Sequence, residues 1–333
     1  MSLEIFNRQF LDVIELIKEA RINALKSVNV ELINLYWKIG EYISKRLDRS
    51  EWGKSVVQQL AQYIEKSEPD LKGFSDKNLW RMKQFFDTYK AVPNISALLR
   101  ETSWTNNLII LSRAKTIEEK EFYLRLCSTE RYSSRELERQ MNTGVYERVM
   151  MGNQKLSAVM RESNPDIFNK FKDHYIFEFL NLPETHNERQ LQKALTTKMK
   201  SFVLELGKDF LFVSEEYRIM VGNSDFLIDL LFYHRSLQCL VAFELKVDKF
   251  KPEHLGQLNF YLEALDRDVK KKNENPSIGV LLCKYKDSEV VEYALNRNLS
   301  PALVAEYHIM LPQKELLQKK LHEIFEQGLK DDE

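Results

Sequence analysis

At 333 residues, with 44% hydrophobic and 30% charged side chains and a net charge of −1, the chain is composed as a globular protein long enough for two domains, each with a core of its own. That balance excludes a global polycation. The first 163 residues carry a slight basic excess and the remainder a slight acidic one, so local patches and not the total would steer a polyanion.

The opening stretch MSLEIFNRQF lacks the basic-then-apolar pattern of a secretion signal, and no apolar run approaches about 18 residues, so neither export nor a membrane span is expected. Between Leu3 and Leu47 apolar residues such as Ile14, Ile17, Leu25, Val28, Leu32, Leu35, Ile39 and Ile43 recur at helical spacing, which predicts one long helix or two consecutive ones. The pair Tyr36–Trp37 reads as packing. A second helix is expected from Ser55 to about Lys66 and a third, capped by Ser75 or Asp76, to about Lys90. Joined by a turn holding Pro69 and Gly73, these two resemble a helix-turn-helix. Lys77, Arg81 and Lys83 would then face phosphates, with a plain helical hairpin as the alternative. Pro93, Asn94 and Ser96 read as a loop, and residues 104 to 140 as two further helices, the last opening at Ser134. There Arg131, Arg135 and Arg139 recur every four residues on what reads as a solvated face. Gly152, Asn153 and Pro165 punctuate a polar segment, so domains are expected at 1–163 and 164–333.

From Lys172 the pattern becomes mixed. Asn187 caps a helix to about Leu206, stopped by Gly207; FLFVSEEYRIMV is a strand ending at Gly222–Asn223; and a hairpin follows from Asp225 to Val247. Pro252 opens a helix to about Lys271, SIGVLLC is a buried strand, SEVVEYAL a helix, LVAEYHI a last strand, and a terminal helix starts near Gln313. The expected fold class is an all-α N-terminal domain followed by a mixed α/β domain. Cys127, Cys239 and Cys283 are odd in number and lack C-x-x-C spacing, which predicts reduced thiols in a cytoplasmic protein, without disulfides or zinc.

Chemistry concentrates in the hairpin. With Arg235 and Ser236 as its two central turn residues, His234 pairs with Leu237 and Asp229 lies opposite Ala242. Asp229, Glu244 and Lys246 then share one face, the two acids being diagonal neighbours roughly 7–8 Å apart at the backbone. Both carboxylates can reach one cation. Acids inside such apolar runs cost several kcal/mol unless something compensates them, roughly as any buried charge does. His234 and His254 read as structural.

Ile228-Asp229 on one strand and Glu244-Leu245-Lys246 on the next resemble the core of the PD-(D/E)xK nuclease superfamily. The stretches GNSDFLIDLLFYH, ELKVDKFKPEHLGQLNFYLEALD and ENPSIGVLLCKYKDSEVVEYAL, with YWKIGEYIS and GFSDKNLWRMKQF further upstream, are similar to its bacterial YhcG-like family. That family joins a helical domain to a restriction-endonuclease-like nuclease domain. The resemblance implies an endonuclease using Mg²⁺, which Mn²⁺ can replace, held by Asp229, Glu244, the Leu245 carbonyl and Glu188. Lys246 would orient or help deprotonate the attacking water, and Gln257 and Tyr261 would border the scissile phosphate. Lys270 and Lys271 read most simply as a solvated helix end, with contact to backbone phosphates as the alternative in this context. DNA is favoured over RNA, in a restriction, defence or DNA-processing context with components of such a system as partners. Cutting both strands with one site per chain points to a homodimer. The alternative is a nucleic-acid-binding or complex-forming module whose nuclease site is silent without a partner.

Overall fold

The computed structural model describes residues 27–50, 54–151, 155–163 and 170–331, so the helical periodicity expected before residue 27 lies outside the described residues. The chain forms two compact units, one ending at Arg139 and the next beginning at Gln140.

In the first unit, helix α1 (27–48), α2 (Lys54–Ser67) and α3 (Asp76–Tyr89) pack Tyr36, Ile43, Val57, Leu79 and Met82 into one core. Ser75 is the N-cap of α3, its hydroxyl accepting from the Asn78 N–H. The 68–75 connection turns at Gly73, whose φ of +96° disfavours a side chain. It is twice as long as the roughly 3–4-residue turn of a helix-turn-helix, and the pair is built as a helical hairpin. Trp37 packs edge-on against Phe85 and Phe86, as the packing role expects.

After a single 3₁₀ turn at Pro93–Ile95 come α4 (Ser96–Glu101), α5 (Trp104–Arg113), α6 (Ile117–Glu130) and α7 (Ser134–Asn142). The loop expected at Ser96 is therefore the start of a helix, and residues 104 to 140 hold three helices where two were expected. The break at Arg131 explains the third. This residue ends α6 in the left-handed region at φ 53°, which also removes it from the arginine face expected on α7.

The second unit opens with α8 (Val145–Met151) and α9 (Ala158–Ser163) and is organised on a six-stranded sheet among its described residues. The strands are β1 (His174–Ile176), β2 (Phe210–Val221), β3 (Ser224–His234), β4 (Cys239–Lys249), β5 (Ile278–Tyr285) and β6 (Ala302–His308), in the order β1-β6-β5-β4-β3-β2. β2, β3 and β4 run antiparallel; β4, β5, β6 and β1 are parallel. Helices α10 (Glu188–Thr197) and α11 (Met199–Leu206) cover one face, where Leu191, Leu195 and Phe202 meet Phe232, Phe243 and Leu245. Helices α12 (His254–Ala264) and α13 (Ser288–Asn296) cover the other, where Leu258, Leu262, Val291 and Leu295 meet Ile228, Ala242 and Leu281. The result is a three-layer α/β/α arrangement, closed by α14 (Lys314–Asp331). Gly279 on β5 sets the depth of α12, because a Cβ there would meet the Leu258 side chain at 2.7 Å. All three cysteines are buried free thiols. No helix among the described residues is long and apolar enough to cross a membrane.

Candidate active site

The site lies where β3 and β4 part. Their ladder runs from His234–Cys239 to Leu230–Phe243, two residues out of the expected register. The turn takes four residues, 235–238, instead of two: Gln238 adopts φ 50°, and His234 Nδ1 accepts the Leu237 N–H inside it. Because the shift is even, the paired residues exchange partners without exchanging faces.

At Asp229 the strand changes character. The β2–β3 ladder passes from Leu230–Glu215 to Ile228–Tyr217 without pairing Asp229, and Glu216 across from it has φ 46°. On either side, Ile228 packs toward α12 while Leu230 packs toward α10 and α11, so β3 flips faces at this residue. Freed from the ladders, Asp229 is held in two other ways. Its Oδ2 accepts the Leu245 N–H at 2.8 Å, and its backbone carbonyl accepts the Gln192 Nε2–H at 2.9 Å from α10. Asn187 anchors the start of that helix through a reciprocal capping box with Gln190.

Glu244 points to the α12 side of β4. It is 2% exposed, its Oε1 accepts from Lys246 Nζ at 2.8 Å, and its Oε2 is buried without a hydrogen-bond partner. Burial first, then the neighbouring Asp229, pushes its carboxyl up to about 7. Asp229 is raised too, by burial that outweighs the Leu245 N–H and Lys246, with Glu188 and Glu216 adding repulsion. Burial would lower Lys246, but the Glu244 hydrogen bond and the surrounding carboxylates prevail and raise it. Two acids short of positive charge, one with an oxygen unsatisfied, form the chemistry of a cation site.

Glu188 opens α10 and stands 3.6 Å from Lys246 Nζ, its side chain about half exposed. The structure thus places it against the lysine. Among the described residues no group of three or more His, Cys, Asp or Glu side chains converges as a protein cage would. A magnesium ion asks for less, since it commonly takes one or two carboxylates and completes its shell with waters and phosphate oxygens. Gln257 Nε2 donates to Tyr261 OH at 2.7 Å on α12, and the Tyr261 phenol, raised chiefly by burial, also feels Glu244 and Asp229. His254 belongs to the same neighbourhood; burial and then Lys246 lower its imidazole.

The basic residues expected to bind nucleic acid are scattered. Lys77 and Arg81 are exposed on α3, whereas Lys83 is tied to Asp87, which also holds Lys90 and Ser44. Lys270 and Lys271 lie beyond the far end of α12, in a segment whose Asn275 bonds Leu237 and Gln238 of the β3–β4 turn. They sit at the opposite end of the hairpin from Asp229. Sequence reasoning missed the part played by two neighbours, Gln192 and Glu216. A glutamine one turn after the helix acid gave the only signal, and the left-handed backbone at Glu216 gave none.

Residues 168–322 match the YhcG PDDEXK nuclease domain, and residues 12–148 match the DUF1016 N-terminal domain. The YhcG protein of Escherichia coli (strain K12), named as a candidate nuclease, is 29% identical over 347 aligned positions that cover 93% of this chain and 92% of its own. A crystal structure of a repair endonuclease from Pyrococcus abyssi aligns with a TM-score of 0.26 at 17% identity, over 37% of this chain and only half of that one, which is too slight a likeness to bear on the fold.

Proposed function

Because the chain belongs to the YhcG-like family, with its PDDEXK nuclease domain in residues 168–322, we propose that it is a divalent-metal-dependent endonuclease that hydrolyses phosphodiester bonds in DNA. The observation that carries the metal requirement is the partnerless, buried Oε2 of Glu244 beside Asp229.

Asp229 and Glu244, with the Leu245 carbonyl between the two motif residues of β4, are the groups that would hold Mg²⁺ or Mn²⁺. When bound, such an ion supplies a polarised water and offsets charge on the phosphate. The protein's own contribution is positional. Asp229 is clamped from its side chain by Leu245 and from its backbone by Gln192, which fixes the position of its carboxylate. Lys246 is steered by Glu244 and Glu188 into the same space, where its ammonium donates to oxygens that gain negative charge as the attacking water adds to phosphorus. Gln257 and Tyr261 present a joined amide and phenol from the α12 side, suited to holding a neighbouring phosphate in register. In the helical unit, exposed Lys77 and Arg81 supply non-specific contact to the phosphate backbone. A restriction, defence or DNA-processing role, and a dimer to cut both strands, complete the proposal.

The test is a cleavage panel of linear, nicked, branched and single-stranded DNA, with RNA alongside, in Mg²⁺, Mn²⁺ and chelator. Cutting of DNA that chelator abolishes is the expected result; cleavage indifferent to metal, or confined to RNA, overturns it.

A further inference from the structure

A cleft of about 540 Å³ opens at the C-terminal ends of β1, β6 and β5, beside Ile176, Tyr307, His308, Lys284 and Tyr285. Open α/β sheets bind ligands outside these ends of parallel strands. The loop after β6 and the first turns of α14 form the opposite wall, with Lys320 at the rim. Within this one cleft Tyr285 is 52% exposed, Met310 71% and Leu311 53%. Single exposed apolar side chains are ordinary, but a group of them lining a concave surface marks a contact surface.

A short loop links the cleft to the start of α10, the helix that carries Glu188. Lys284 Nζ donates to the Glu184 carbonyl at 2.6 Å, and His186 Nε2 lies 2.9 Å from Tyr307 OH. Both bonds pin the short loop that runs from the cleft into Asn187 and Glu188. Tyr307, raised first by burial, also feels the charges of Glu188 and of Asp248 on β4.

The lining has the makings of a nucleotide site. Lys284 stands over the Tyr285 ring, 5.5 Å from its centroid, which pairs a cation for phosphate with a flat apolar face for a base. Glu184 and Glu306 also border the cleft, and carboxylates accept from the exocyclic amino groups that unpaired bases expose. A pocket of this size takes a base with its sugar and has no room for the width of a duplex. Resting on the nuclease reading above, the geometry points to a subsite for an unpaired nucleotide of the substrate, on the strand that continues from the Glu188 end of the active site.

The experiment uses the full chain carrying Asp229→Asn, so that nothing is cut, and measures binding to a blunt duplex and to the same duplex bearing a short single-stranded DNA or RNA tail. A tailed substrate is expected to bind about tenfold tighter than the blunt one, whichever sugar the tail carries. Adding Tyr285→Ala or Lys320→Glu is expected to erase that preference while blunt-duplex affinity holds. Equal affinity for blunt and tailed duplexes, or a preference that survives both substitutions, overturns the subsite and leaves the nuclease assignment standing. The nuclease assignment fails separately, if the otherwise unaltered chain does not cut in metal.

Discussion

The two ends of the β3–β4 hairpin are made of similar sequence, apolar runs with an occasional titratable residue, yet they treat charge in opposite ways. At the turn, His234 is 1% exposed and its Nδ1 accepts the Leu237 N–H, so a neutral imidazole is what the fold requires. At the open end, Glu244 is as deeply buried but one of its oxygens has no partner, and a second acid stands beside it. One end is finished for stability. The other carries an electrostatic deficit that a ligand would remove, the common trade between stability and activity.

The largest effect should come from removing the proposed catalytic groups. Asp229→Ala or Lys246→Ala is expected to lower metal-dependent cleavage by about a thousandfold or more while circular dichroism and duplex binding stay near those of the parent. Undiminished cleavage in both variants would erase the distinction between the ends.

Next comes acid stability. Burial pushes His234 down to about 4, from an ordinary 6.5, so its share of stability is present above 6.5 and is lost as the pH falls from there toward 4. That share amounts to roughly 3 kcal/mol. Urea titrations of the parent and of His234→Gln, which keeps an acceptor for Leu237, should show the variant losing less stability across that window. Glu244 has the opposite sign. Its raised carboxyl makes the metal-free fold lose stability as pH rises from 4.5 to about 7, and Glu244→Gln should flatten that slope. Parallel profiles for parent and either variant would break the comparison at that end.

A smaller effect is expected at Gln192, which acts only through Asp229. Gln192→Leu leaves the Asp229 carbonyl unsatisfied, and cleavage should fall by roughly tenfold to a hundredfold, with the ion requirement shifted to higher concentration. A drop in stability with an unchanged metal titration would make Gln192 merely structural. Smallest is Arg81→Ala on α3, expected to weaken duplex binding a few-fold and to reduce the salt slope by about one.

The site was legible because its signal is local: Asp229, Glu244 and Lys246 interrupt apolar strands, and the Asn187 cap dates the start of α10. The hairpin register was not, since Gln238 enters the left-handed region without the Gly or Asn that would announce it. Three-residue β1 escaped notice because its partner β6 is more than a hundred residues away, and no period shows in so short a run. Lys270 and Lys271 illustrate the same limit. Their charge is plain in the sequence, while their place beside the hairpin turn depends on how far α12 runs before the chain reverses.

The sharpest single measurement is thermal unfolding of the full chain during titration with Mg²⁺ or Mn²⁺, for the parent and for Glu244→Gln. The parent's nuclease domain should rise by roughly 5–10 °C at a hundredfold excess over the dissociation constant, while the variant starts more stable without metal and gains nothing from it. A parent that does not respond, or a variant that responds equally, would contradict a cation site at Asp229 and Glu244.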